Sequence, residues 1–221
     1  MRILAFDTTL SACSVALWCD GNVEAESCKS MTYGQAEALV PAIEIVLSGA
    51  DCAYHDIDRV AVTIGPGSFT GVRVGLAAAR GLGVAMERPV IGVETTAVMA
   101  EEVQQKKPHE PIIVALDARR AELYIHRFGP GGIALEDPLC MLPEAAAELL
   151  HDGYGTIIGD GANRLFPLVK KSYLCSGPAH PDPRVLAALA AARSDPINPP
   201  SPLYVRPPDA TLPKSGGRLR P

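Results

Sequence analysis

Ile64-Gly-Pro-Gly-Ser-Phe-Thr-Gly-Val-Arg-Val-Gly75 decides how this chain is read. Its left half is a tight Gly-Pro-Gly turn behind an apolar run, Val60 to Ile64, that reads as a buried strand. Its right half opens a helix that continues to about Met86. Along that helix a small residue recurs at every fourth position: Gly67, Gly71, Gly75, Ala79 and Gly83. An interior glycine costs a helix roughly 1 kcal/mol against alanine, so a stripe of them implies close backbone approach, by another helix or by a ligand.

The turn is not a phosphate loop of either common kind. A Walker A loop needs Gly-Lys where Val72-Arg73 stands after Gly67, and the dinucleotide fingerprint fails because Thr70 occupies its third glycine. Ser68 lacks the Gly-x-Ser-x-Gly context of a hydrolase nucleophile and reads instead as the helix N-cap. A packing helix is the better reading.

Working outward, residues 2–7, 12–19 and 22–28 read as three strands, with Asp20-Gly21-Asn22 as a hairpin turn. A helix near 34–49, strand 60–64, the striped helix 69–86, strand 89–93 and helix 95–105 follow. Lys106-Lys107-Pro108-His109-Glu110-Pro111, polar and twice broken by proline, marks a lobe boundary. Beyond it the pattern restarts: strand 112–116, the turn Asp117-Ala118-Arg119, strand 121–128, the turn Gly129–Gly132 and a short strand near 133–139. Asp7 and Asp117 thus fall at equivalent places in two halves. The expected fold is α/β with mixed sheets flanked by helices, in an amino-terminal lobe 1–105 and a carboxy-terminal lobe 106–206. Eight prolines crowd the last 28 residues. Pro202–Arg206 is expected to dock as an extended segment and 207–221 to be a disordered tail.

Gly65–Arg73, together with Ile3-Leu-Ala-Phe-Asp-Thr-Thr9, Leu116–Tyr124 and Pro202-Leu-Tyr-Val-Arg206, resembles the TsaB (YeaZ) family, in matching order through most of residues 1–206. The resemblance implies a non-catalytic subunit that pairs with TsaD and works with TsaE. Together they install threonylcarbamoyl on the adenosine beside the tRNA anticodon. It also implies a homodimer in isolation and contact with tRNA only through the complex. The duplicated lobes resemble the two-lobed actin/Hsp70-like (ASKHA) fold, in which an acidic hairpin from each lobe meets a nucleotide. Such ATPases place glycine beside each hairpin aspartate. Here Asp7-Thr8-Thr9 and Asp117-Ala118-Arg119 lack it, so the nucleotide site reads as degenerate.

The first helix carries Ala36, Leu39, Val40, Ile43, Val46 and Leu47 on one face, with Ala38, Ala42 and Ile45 beside it and only Glu37, Glu44 and Ser48 as a polar strip. The second adds Phe69, Val72, Val74, Leu76 and Leu82 around its small-residue stripe, with Arg73 and Arg80 seven apart. Helices apolar nearly all round need cover on more than one side. The cover is either the second lobe or a partner, and the family resemblance implies a four-helix interface built from this pair. The expected interface comprises Glu37, Leu39, Val40, Ile43, Glu44 and Leu47 with Val72, Arg73, Gly75, Leu76, Ala79 and Arg80. The two glutamates are expected to meet basic residues across the contact and the two arginines acidic ones.

No catalytic residue, metal site or cofactor is expected. The histidines stand at 55, 109, 126, 151 and 180, none four apart, and Gln35 and Leu39 occupy the first helix where family members often carry His. His126 alternates within a strand and reads as a structural or surface residue. The six cysteines show no Cys-x2-Cys spacing and read as reduced thiols. Net charge is −5, with an excess of cations only in the tail, so a tRNA-gripping face in this chain alone is not expected. No apolar run reaches the ~18–20 residues a membrane span needs, and Met1-Arg2 enters a strand without signal-peptide layout, so a cytoplasmic protein is expected. Two function classes remain: a non-catalytic scaffold, or an enzyme, either an actin-like ATP-using one or a glycoprotease-superfamily peptidase.

Overall fold

The computed structural model describes residues 1–151, 153–170 and 172–206. The expected tail, 207–221, lies outside the described residues. β1 (Arg2–Asp7), β2 (Ala12–Cys19) and β3 (Asn22–Ser30) form an antiparallel meander. Asp20 (φ 46°) and Gly21 (φ 96°) turn β2 into β3 in left-handed conformations that Asp and Gly adopt at low cost. After α1 (Gln35–Gly49), β4 (Arg59–Thr63) pairs parallel to β1; after α2 (Phe69–Met86), β5 (Val90–Val93) pairs parallel to β4.

From α3 (Thr95–Gln104) the chain enters a second sheet. β6 (Ile112–Asp117), β7 (Leu123–Phe128) and β8 (Leu139–Met141) are antiparallel. The expected strand at 133–139 is displaced: Ala134 makes only an isolated bridge to Phe128, and pairing with β7 resumes at Leu139. Then come α4 (Pro143–Leu149), β9 (Gly155–Ile158), α5 (Ala162–Leu165), β10 (Tyr173–Cys175) and α6 (Pro183–Ala191), with β9 parallel to β6 and β10 parallel to β9. Spatial order is β3-β2-β1-β4-β5 in one sheet and β8-β7-β6-β9-β10 in the other. The same order twice gives the two-lobed α/β architecture, two mixed sheets flanked by helices, that the sequence pattern implies.

Strand alternation sorts the core. Leu4, Phe6, Val60 and Val62 face α1 and α2, where they meet Leu39, Ile43, Val72 and Leu76. Their neighbours Ile3, Ala5, Ala61 and Ile91 face α6, meeting Val185, Leu186 and Ala190. Covered on both faces, these strands read as unbroken apolar runs rather than alternating ones. Full burial of each Leu, Ile or Val contributes about 1.5–3 kcal/mol. The expected boundary at 105/106 falls between α3 and β6. α6, which follows the second lobe in sequence, returns to cover the first sheet. Arg59 fixes its end by donating to Ala190 O (3.1 Å) and Arg193 O (2.8 Å). α3 serves both sides, with Val98 in the first core and Met99, Ala100 and Val103 against β6.

The small-residue stripe on α2 packs on its own turn and sheet rather than on a second helix. It lies on the β1–β2 turn. A methyl group at Gly67 would stand 2.6 Å from Thr9 O, one at Gly75 2.8 Å from Thr8 Oγ1, and one at Gly71 would run into Thr8 O. At Gly83 the obstacle is Val90 of β5. The glycines let the helix backbone rest directly on its own sheet and turn.

Candidate functional site

Two places combine exposed or polar groups with defined geometry: the outer side of the helix pair, and the interlobe cleft with its two aspartate turns.

The first turn is closed. Asp7 is fully buried, and its Oδ1 accepts from Thr9 N (3.0 Å), Thr9 Oγ1 (2.5 Å) and Thr63 Oγ1 (2.5 Å), while Oδ2 has no hydrogen-bond partner. Burial pushes its carboxyl upward, against the pull of those hydrogen bonds. Thr8 Oγ1 donates to Gly71 O (2.7 Å) and Ser68 N to Thr9 O (2.7 Å), so the start of α2 stands directly on this turn. Ser68 also caps α2, its Oγ accepting from Gly71 N at 3.3 Å, as its sequence position implies. Gln35 Nε2 donates to Leu10 O (3.2 Å), tying α1 to the same turn. Asp7, Thr8 and Thr9 thus act as a packing knot.

The second turn is open. Asp117 is half-buried; its Oδ1 accepts from Arg119 N (2.8 Å) and pairs with Arg164 Nη1 (2.9 Å), while its own N–H donates to Asp160 Oδ1 (2.9 Å). Arg119 is exposed and left-handed (φ 61°). Burial raises the Asp160 carboxyl, opposed by the hydrogen bond from Asp117 and by the Arg119 charge. Between the start of α2 and the second turn lies a cavity of about 650 Å³, walled by Ser68, Phe69 and Arg73, by Arg119, and by Tyr204 and Arg206. The last two belong to a strap, residues 200–206, that docks as expected from the sequence. Leu203 N donates to Ile64 O (2.8 Å), Arg80 donates to Pro200 O from Nε (3.1 Å) and Nη2 (2.6 Å), and Arg206 pairs with Glu122 in the second lobe.

The helix pair needs correction residue by residue. Leu39, Ile43, Leu47, Val72, Gly75, Leu76 and Ala79 are buried within their own lobe, because the sheet takes the richest face of each helix. Of the named residues, Glu37, Val40, Glu44, Arg73 and Arg80 remain exposed. Three of the four charges already have partners in the chain. Tyr54 Oη donates to Glu44 Oε1 (2.6 Å), burial and that carboxylate pushing the phenol up to about 12. Arg73 lies over the Phe69 ring at 3.1 Å, with Tyr204 at 5.1 Å, and Arg80 holds the strap.

The second lobe does not cover the outer side. Val40 is 55% exposed, Ile45 65%, Phe69 67% and Val84 80%. Phe69, Arg73, Ala77, Arg80 and Val84 follow one helical stripe at spacings of three and four, a signal present in the sequence but masked by the glycine stripe beside it. His126 is structural: buried, with Nδ1 2.7 Å from Thr96 Oγ1, its pKa lowered by burial. Among the described residues, no three His, Cys, Asp or Glu side chains cluster closely enough to hold a metal ion, and no helix is long and apolar enough to cross a membrane.

Residues 34–154 match a family described as TsaD, tRNA N6-adenosine threonylcarbamoyltransferase. The chain is 42% identical over 126 residues to the tRNA threonylcarbamoyladenosine biosynthesis protein TsaB of Escherichia coli, covering 56% of this chain and 53% of that one. It therefore spans about half the length of that curated relative. An uncharacterised Mycobacterium bovis protein, Mb3455c, is 34% identical over 177 residues, 79% of this chain and 76% of that one. Among solved structures, a Pseudomonas aeruginosa protein described as similar to peptidase YeaZ superposes with a TM-score of 0.81 at 27% identity, covering 93% of this chain and 99% of that one.

Proposed function

This chain belongs to the TsaB (YeaZ) family, and from that premise we propose that it is a non-catalytic subunit that docks TsaD through the outer faces of α1 and α2. With TsaD and TsaE it supports threonylcarbamoylation of the adenosine beside the tRNA anticodon, in the cytoplasm, and alone it pairs with a second copy through the same face. The observation that carries this reading is the uncovered apolar surface of Val40, Ile45, Phe69 and Val84 on two adjoining helices. Large apolar side chains left exposed on two adjoining helices mark an interaction surface. The closed first turn favours a scaffold over an ATP-using enzyme, since Gly71 and Ser68 of α2 stand against Thr8 and Thr9 where a phosphate would have to approach.

The test is capture of TsaD by Ile45→Asp and Val84→Asp, whose exposed positions leave the fold intact. Substituting the buried Leu39 or Leu76 would unfold the lobe and say nothing about docking. Capture is expected to fall at least tenfold for each variant, because a desolvated carboxylate without a partner is strongly unfavourable at an apolar interface. Undiminished capture by both folded variants would place the interface elsewhere. ATP turnover by the purified chain that is lost in Asp7→Asn would favour the enzyme.

A further inference from the structure

We propose that the strap, residues 200–206, is a third segment of the docking face, where Tyr204 and Arg73 together receive an acidic side chain of the docked partner. This inference rests on the docking reading of α1 and α2. On the sheet face that carries both helices, α1 packs over β2 and β3 and α2 over β4. The strap comes next in that row. Pro200 closes on Gly92 of β5, where a methyl on the glycine would stand 2.5 Å from Pro200 Cβ, and Leu203 O closes on Gly65. Arg80 holds Pro200 O, and the Tyr204 ring lies beside that of Phe69 with centroids 6.2 Å apart. From Phe69 to Arg80 the helix rises about 16 Å, and the four steps from Pro200 to Tyr204 cover about 13 Å when extended. The strap therefore runs antiparallel along α2, beside the exposed stripe of Phe69, Arg73, Arg80 and Val84.

Residues that dominate protein interfaces are enriched in Tyr and Arg, and an anchor already ordered before binding costs less to immobilise. Tyr204 is such an anchor. Its ring is 49% exposed, yet the backbone on both sides of it is fixed. Leu203 N donates to Ile64 O at 2.8 Å, and Arg206 pairs with Glu122 across the lobes. Arg73 is likewise placed in advance, stacked on Phe69 with Tyr204 beside it. It donates one hydrogen bond, to Phe69 O at 3.2 Å, out of the five a guanidinium can make. The remaining donors suit a carboxylate, which arginine can hold through two parallel bonds. Both charges on this stripe of α2, Arg73 and Arg80, are positive, so the complementary partner surface is acidic.

The test is capture of TsaD by the full chain, comparing Tyr204→Ala, Tyr204→Phe and Arg73→Gln with Ile45→Asp, which reports on the helix pair alone. Tyr154→Ala, an exposed tyrosine of the second lobe, is the control. Tyr204→Ala and Arg73→Gln are each expected to weaken capture about tenfold, with Arg73→Gln also flattening its salt dependence. Tyr204→Phe, which keeps the ring, and the control are expected to capture as wild type does. A second measurement separates lost contact from a loosened strap: Tyr204→p-benzoylphenylalanine is expected to crosslink to TsaD on irradiation, and the same change at Tyr154 is not. If Ile45→Asp loses capture while Tyr204→Ala, shown folded by circular dichroism, keeps it, the strap is no part of the face and the docking reading stands. If Tyr204→Ala loses capture and Ile45→Asp keeps it, the strap stands and the helix-pair reading falls. Capture undiminished in every variant overturns both, and absence of a crosslink from position 204 overturns the strap.

Discussion

Asp7 and Asp117 close the first strand of two sheets with the same strand order, yet one lies beneath a helix with an unpartnered oxygen and the other sits half-exposed on a cleft. The difference arises in the helix that follows. In the first lobe an 18-residue helix comes down on the turn along glycines 67, 71 and 75, and two threonine contacts replace whatever else could have reached Asp7. In the second lobe the corresponding helix is four residues long and contributes Arg164, which holds Asp117 from the side and leaves the turn open. Repeated topology fixes where a turn stands. The local packing fixes whether anything can reach it.

The largest effect that would break this contrast is at Gly71. Adding one methyl in Gly71→Ala drives it into the Thr8 carbonyl, and backbone on both sides leaves little room to relax. A loss of about 3 kcal/mol is expected, lowering the melting temperature by about 6–12 °C. An unchanged melt would mean that the first turn moves freely and is not closed. Next comes Arg164→Ala, which removes the pair with Asp117 and the hydrogen bond to Glu122 O at 3.4 Å. Both side chains are about one third exposed, so the cost should be only about 1 kcal/mol. A loss as large as that at Gly71 would show the second turn to be as tightly built as the first.

The smallest and sharpest test is Asp7→Asn. Burial raises the folded-state value of Asp7 above that of the unfolded chain. Its proton therefore stabilises the fold fully below about pH 3.9, the ordinary value, and that contribution is lost as pH rises through the folded-state value. Asparagine does not titrate. The variant is accordingly expected to gain stability on wild type as pH rises above about 4, read in paired thermal melts. A variant that loses ground with rising pH would show a carboxylate in use.

Much of the fold was legible in the sequence. Helix 69–86 matches α2 end to end because Ser68 announces its start, and the two strand–turn–strand patterns were visible because their strands alternate or run apolar between Gly-rich turns. α6 escaped notice in an alanine-rich segment near a proline-rich end, where no local signal says that residues 183–191 belong to the first sheet. The proposed docking face was half legible. Glu37, Val40, Glu44, Arg73 and Arg80 are on the surface, but periodicity finds the richest apolar stripe, and a sheet claims that stripe before any partner can. Phe69, Ile45 and Val84 lie on the poorer stripe that remains.

The return of α6 also has a consequence for synthesis. When about 105 residues have left the ribosome, all five strands of the first sheet are present, with α1 and α2 on one face. The other face, Ile3, Ala5, Ala61 and Ile91, has no cover from α6 until residues 183–191 are made. At ~5–20 residues per second, those eighty or so further residues keep that face waiting for about 4–16 s. The first lobe to be translated is the last to be finished, and during that interval its bare sheet face is the part of the nascent chain most in need of a chaperone.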